Sequence, residues 1–317
     1  MSQNLVQFQA GLSMSEFLKR YGSEAQCEAA LTQARWPKGF ICPHCGSVLA
    51  VHFRLHGKPG WQCRACNRQT TLTSGTIFHS TKLPLTIWFQ AMFVLTQAKN
   101  NVAALELKRI LGVSYPTAWL VKHKLMQVMC EREADRKLTG LVQVDDAYLG
   151  GKHPGGKRGR GSENKTAVVA AVQTQAGRPL FMRLDLVTSF TGQAIKDWAA
   201  KALAPEALSI SDGLQAFREL ATACAGHEGI ITTGPDRDLA LGTFKWINTL
   251  LGNVKTALAG THHAFNFAKY GHRYLAEYQY RFNRRFNLAS MLPRLLRAAA
   301  TTRKQSIRKI RLSEDCC

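Results

Sequence analysis

Residues 141–149 read LVQVDDAYL, in which the strand-forming run LVQV leads into two aspartates. Val142 and Val144 alternate, and β-branched side chains fit the half-buried surface of a pleated strand. Asp145 closes the run, and an unpaired carboxylate buried in a strand is costly, so its presence needs a reason. The same design recurs at 207–213, ALSISDG, where Asp212 ends an apolar run. Two aspartates at the C-terminal ends of neighbouring strands make a site for divalent cations. The plain alternative is that either one caps a turn, as in the Asp212–Gly213 pair.

Outward from these runs the texture stays consistent. TAVVAAVQT (166–174) and PLFMRLDLV (179–187) read as strands, and GQAIKDWAAKAL (192–203) reads as a helix. A helix around AFRELATA, a run GIITT and a helix near 245–259 follow. The predicted order is three strands, helix, strand, helix, strand, helix. Three consecutive strands form a meander, and strands joined through helices lie parallel, so the class is α/β with a mixed sheet. In the last helix Ile247, Leu250, Leu251, Val254 and Leu258 form an apolar face. Asn248 and Lys255 lie nearly two turns apart on another face, with Gly252 keeping the surface between them low.

The N-terminal part is built differently. Residues 1–35 place Leu12, Phe17, Leu18 and Tyr21 at helical spacing. Residues 36–80 carry CPHCG and CRACN, with 17 residues between the two C-x-x-C pairs. That spacing fits tetrahedral Zn²⁺ held by Cys42, Cys45, Cys63 and Cys66. Four thiolates leave no open position, so the zinc is structural and supplies folding free energy to a module too small for its own core. His44 and His79 are not needed as ligands, and Arg54, Lys58, Arg64 and Arg68 give the module a positive surface. Residues 81–139 read as helical: Pro84 opens IWFQAMFVLTQA, and NNVAALELKRILGVSYPTAWLVKHKLMQVM has the shape of a helix-turn-helix. Val102, Leu105, Ile110 and Leu111 line its first helix, Gly112 permits the turn, and Ser114 caps the second helix with Pro116 in its first turn. Lys122, His123 and Lys124 are then expected along that second helix, facing a groove or phosphates.

Composition narrows the partners. The chain of 317 residues has 42 Lys and Arg against 21 Asp and Glu, a formal charge of +21. Such a field attracts polyanions, nucleic acid foremost and an anionic membrane surface second. No run approaches a membrane span, and the first residues lack the pattern of a signal peptide, so a cytosolic, reduced protein is expected. Its nine cysteines are then metal ligands before they are disulfides.

Taken together, CPHCG, CRACNRQTTLTSGTIFHSTKLPL, VDDAYLGGK, SDG, WINTLLGNVKTALAGTHHAF and YLAEYQYRFNRRF resemble the zinc-ribbon DDE transposases of bacterial insertion sequences, related to the eukaryotic Merlin elements. The resemblance runs from about Cys42 to Arg285. It implies a catalytic core like ribonuclease H over residues 140–264, a mixed five-stranded sheet with helices. Before that core stand the helical lead (1–35), zinc ribbon (36–80) and helical DNA-binding module (81–139), and after it a basic helical segment (265–317). It implies catalytic Asp145 and Asp212, with Asp146 in the adjacent acidic place. The third position, often glutamate, falls on Asn248, seven residues before Lys255. Two Mg²⁺ or Mn²⁺ ions at Asp145, Asp212 and Asn248 would serve phosphodiester cleavage and joining, and Lys255 would contact phosphate.

DNA is the implied partner, with a homo-oligomer forming on it and no membrane involved. Lys157, Arg158 and Arg160 in the loop after Asp145 are expected to touch DNA. So are Arg284 and Arg285 in a C-terminal belt that also holds Arg281, Arg294 and Arg297. Two other readings compete: a zinc-ribbon DNA-binding regulator whose core is inactive because Asn248 replaces a carboxylate, and a nuclease of the same fold that cleaves without joining.

Overall fold

The computed structural model describes residues 6–55, 57–150, 165–230, 242–262 and 266–312. The chain forms two compact units, one of Met1–Met129 with Arg284–Glu314 and the other of Cys130–Asn283.

The first unit opens on helices α1 (Met14–Tyr21) and α2 (Glu24–Arg35). Ser13 caps α1, and Ser23 and Gln26 form a reciprocal capping box on α2. A three-stranded antiparallel sheet follows, β1 (Ala50–Leu55), β2 (Lys58–Cys63) and β3 (Gln69–Thr71), in that order. Gly60 is needed there because the ring of Phe53 lies over it: a Cβ at that position would come within 2.7 Å of the ring. Arg35 ties α2 to the ribbon by donating to the carbonyls of Thr71, Leu72 and Ser74 at 2.6–2.9 Å.

Helix α3 (Leu85–Gln97) begins at Pro84, which offers no side-chain cap. The carboxylate of Glu24 supplies one from a distance, accepting from the N–H groups of Leu85 (2.8 Å) and Thr86 (3.2 Å). Phe17 and Phe93 meet at 4.6 Å between ring centroids, joining α1 to α3. Then come α4 (Ala104–Leu111) and α5 (Tyr115–Ala134), with Gly112 between them at φ 64°, the left-handed conformation the expected turn requires. The helix Met291–Thr301, far along the chain, packs on α2 and α3.

The second unit is a five-stranded sheet of β4 (Leu141–Leu149), β5 (Thr166–Gln175), β6 (Arg178–Leu186), β7 (Leu208–Asp212) and β8 (Gly226–Ile230). Its order is β6-β5-β4-β7-β8, with the β6-β5-β4 meander antiparallel and β4, β7 and β8 parallel. This is the mixed sheet of a ribonuclease H-like core. Val142, Val144, Val169 and Ala171 pack on one side against Ile195, Trp198 and Ala199 of α6 (Gly192–Ala202).

The AFRELATA segment is a 3-10 helix, Gln215–Thr222, rather than an α-helix. Its apolar residues recur every third position, Leu214, Phe217, Leu220 and Ala223, and all join this core. A helix with three residues per turn aligns such a row, which an α-helix would spread around its axis.

Helix α7 (Lys245–Thr261) packs on β4 and β5, burying the five expected apolar residues. Its start is fixed by Gln143, whose side-chain oxygen accepts from the Ile247 N–H at 3.0 Å. Helix α8 (Phe267–Arg284) covers the outer edge of β6. Asn283 accepts from the Met182 N–H at 2.8 Å and donates to its carbonyl at 3.0 Å, and Gln279 accepts from the Leu184 N–H at 2.9 Å. The two amides stand where a further strand would hydrogen-bond, which protects an otherwise open edge.

Candidate active site and metal centres

The register of the parallel pair builds the acidic site. Val144 lies opposite Ser211, so one step further sets Asp145 beside Asp212, which ends β7. Asp145 itself is the middle residue of β4, not its end as the sequence suggested, because pairing with β5 carries that strand on to Leu149. In open α/β sheets the C-terminal end of a strand, here that of β7, is where ligands bind. Strand β7 stops at Asp212 while β4 runs on to Leu149, so the pairing of β7 with β4 ends at Val144. Asp145, Asp146 and Asp212 each offer a carboxylate oxygen, all within 4.8 Å of one another. Asp146 therefore enters the cluster itself, a point the strand pattern could not settle because adjacent residues alternate between faces.

The Asp145 carboxyl is pushed up to about 7 by burial first, then by Asp146 and Asp212. The Asp146 N–H, which donates to Asp145 Oδ1 at 2.9 Å, and the Lys255 ammonium oppose that shift. Three carboxylates so close repel one another unless a proton or a cation intervenes. Hard oxygen donors in this arrangement suit Mg²⁺ or Mn²⁺. Asp212 is also anchored locally, accepting from the Leu214 N–H at 3.2 Å.

Asn248 and Lys255 are both exposed on α7, the helix whose start Gln143 pins two residues before Asp145 on β4. Between them a side chain at Gly252 would meet nothing within 4 Å, so that face is open.

The four cysteines form a second centre. Cys42 and Cys66 Sγ lie 3.7 Å apart and Cys45 and Cys63 Sγ 3.5 Å apart. Four sulfurs at the corners of a zinc tetrahedron lie about 3.8 Å apart, so the set fits the ion. The backbone N–H groups of Cys66 and Ala65 bring the Cys63 thiol down to about 6, toward the thiolate that binds metal.

The expected DNA contacts fare unevenly. Lys122 and Lys124 do not lie on an outward helix face, and this corrects the reading made from sequence. Lys122 is 1% exposed and donates to the Val102 carbonyl, and Lys124 is 9% exposed and donates to the Ile77 carbonyl at 3.1 Å. Burial lowers the Lys124 ammonium below its usual range. Along α5 every residue from Val121 to Met129 is buried, so charge there serves internal carbonyls instead of phosphate.

Arg284 is likewise buried, which corrects its expected place on the surface, and Arg281 is held in a buried ion pair with Glu277 at 3.0 Å. Arg285 is half-buried, its guanidinium 4.3 Å over the Phe286 ring. Lys157, Arg158 and Arg160 lie outside the described residues. Leu105 and Ile110, expected to line the first helix of the helix-turn-helix, point outward instead, and Leu107 takes the buried position.

A ribonuclease H-like sheet bearing clustered carboxylates, in a chain that also carries a four-cysteine ribbon, defines the class. Residues 137–283 match the ISXO2-like transposase domain and residues 22–69 the transposase zinc-ribbon domain. Over those two stretches the chain is similar to zinc-ribbon transposases of insertion sequences.

A protein in the transposable element ISH50 of Halobacterium salinarum is 25% identical over 150 residues, 47% of this chain and 49% of its own length. The chain thus spans about half the length of that curated relative. Among solved structures, the Mos1 strand transfer complex is similar at 10% identity and TM-score 0.24, over 69% of this chain and 78% of that one. A pre-cleavage Mos1 transpososome is similar at 11% identity and TM-score 0.24, over 96% and 100%. Those TM-scores are too low to establish a common fold. Among the described residues no helix is long and apolar enough to cross a membrane.

Proposed function

We propose that this chain is a DNA transposase that cleaves and joins phosphodiester bonds at the ends of its element. The observation that carries the reading is the convergence of Asp145, Asp146 and Asp212 where β7 ends beside β4, in the sheet of a region that matches a transposase domain. Asp145, Asp212 and Asn248 would hold Mg²⁺ or Mn²⁺, which when bound supplies activation of a water, then of a freed 3′-hydroxyl, for in-line attack on phosphorus. Asn248 can contribute its amide oxygen, a neutral donor that hard cations accept.

The chain's own groups do the rest. Asp145 gives up its proton as the site loads, because its carboxyl titrates near 7. Lys255, exposed on α7, offers an ammonium to a phosphate brought against the open face at Gly252. The ribbon holds zinc as a structural ion through Cys42, Cys45, Cys63 and Cys66. The net charge of +21 supplies salt-sensitive affinity for DNA.

The deciding experiment incubates the full chain with a duplex carrying the inverted repeats that flank its gene, with and without Mg²⁺. Mg²⁺-dependent nicks and joined products are expected. Nicks without joining would indicate a nuclease, and binding with neither would indicate a regulator.

A further inference from the structure

The burial of α5 leaves the helix-turn-helix with a different outward surface from the one its lysines marked. On α4, Leu105, Lys108 and Arg109 follow the i, i+3, i+4 spacing of one helical stripe, and all three are exposed. Leu107 and Leu111 are buried on the opposite side. Gly112, next in the exposed stripe, stands in the left-handed conformation with nothing within 4 Å of where a side chain would begin. Immediately after it, the first turn of α5 carries Tyr115 at 44% exposure, while from Val121 to Met129 α5 has no outward face. Ser114 is spent on the turn itself, its hydroxyl bonding to Thr117 Oγ1 at 2.9 Å.

We propose that this surface, the outer stripe of α4 with the first turn of α5, reads duplex DNA. Lys108 and Arg109 engage phosphates, Leu105 contacts apolar sugar and thymine-methyl surface, and Tyr115 reaches base edges. The inference rests on the DNA-substrate reading above and places sequence recognition outside the acidic site. Three features favour duplex DNA as the occupant. The stripe pairs two cations with apolar groups, in a chain of net charge +21. The uncovered backbone at Gly112 allows a phosphate to approach closely. Finally, helix-turn-helix units contact bases through the N-terminal residues of the second helix, with the first helix crossing the backbone.

The test uses the full zinc-loaded chain and two fluorescent duplexes, one with the inverted repeat that flanks the gene and one with the same bases scrambled. The double variant Lys108→Ala, Arg109→Ala should weaken binding to both duplexes alike. It should also flatten the slope of log K against log salt by about 1.8, or about 0.9 per lost phosphate contact. Tyr115→Ala should reduce the preference for the repeat over the scramble by about tenfold, with little change on the scramble. Circular dichroism and bound zinc equal to wild type show that each variant is folded.

Unchanged salt slope and unchanged preference in these folded variants would overturn the proposal, as would a wild type that does not distinguish the duplexes. The two readings fail separately. If the variants behave as expected while the wild type never nicks DNA with Mg²⁺, the reading surface stands and the enzymatic reading falls.

Discussion

Replacing Asp145 by Asn should stabilise the metal-free protein at alkaline pH, although it removes a proposed metal ligand. Asn is nearly isosteric and retains an oxygen for the Asp146 N–H that now donates to Asp145 Oδ1. What it removes is a charge forced into a buried, acidic place. The Asp145 carboxyl moves from 3.8 to about 7 on folding, through burial first and then Asp146 and Asp212. Because the folded-state value is raised, the folded state binds this proton more tightly than the unfolded chain does. Its contribution is therefore complete below about pH 4 and is lost as pH rises through about 7.

At 1.36 kcal/mol per pK unit, the wild type should lose up to about 4 kcal/mol over that window. The Asn variant lacks this loss. The two should match near pH 4, and the variant should lead above pH 8 by up to about 4 kcal/mol. Amide hydrogen exchange on peptides 141–149 and 166–175, in metal-free buffer from pH 4 to 8, reads the stability of this unit directly. Adding Mg²⁺ at pH 8 should slow exchange in the wild type and do little in the variant. A variant less protected than wild type at pH 8, or a wild type whose protection ignores pH, would refute the reasoning.

Three other outcomes are expected. Cys63→Ser should abolish the single bound zinc, measured by elemental analysis, and unfold residues 36–80 while the sheet unit keeps its exchange protection. Asn248→Asp should retain Mg²⁺-dependent cleavage at lower Mg²⁺, whereas Asn248→Ala and Asn248→Leu should both lose most of it with DNA affinity intact; if alanine and leucine match wild type across a Mg²⁺ titration, Asn248 is not a ligand. Asn283→Leu strips hydrogen bonds from both backbone groups of Met182 and from Glu133, so it should cost about 3 kcal/mol in chemical denaturation and promote association through the bared edge of β6.

The sequence alone determined whatever depends on local period and spacing. The runs 141–149, 166–174 and 179–187 became strands within a residue or so, because β-branched alternation is a property of neighbours. The two C-x-x-C knuckles announced a ribbon, since a metal cluster is specified by which residues occur at which interval. Gly112 was legible as a turn, because only its own φ mattered.

The tertiary structure decided what depends on partners distant in the chain. That Asp145 meets Asp212 follows from a parallel register set by packing through α6 and the 3-10 helix. That Asp146 joins them appears only in the folded chain, where its carboxylate lies within 4.8 Å of the other two. Lys122 and Lys124 look like a basic helix face in sequence, yet they lie buried on the carbonyls of Val102 and Ile77. The polar residues of α8 carry no apolar period that would mark them as internal, but Gln279 and Asn283 serve as the missing neighbour of β6. Local pattern records the side chain a residue owns. Burial and hydrogen-bonding depend on the groups that folding brings to it, and those lie tens to hundreds of residues away.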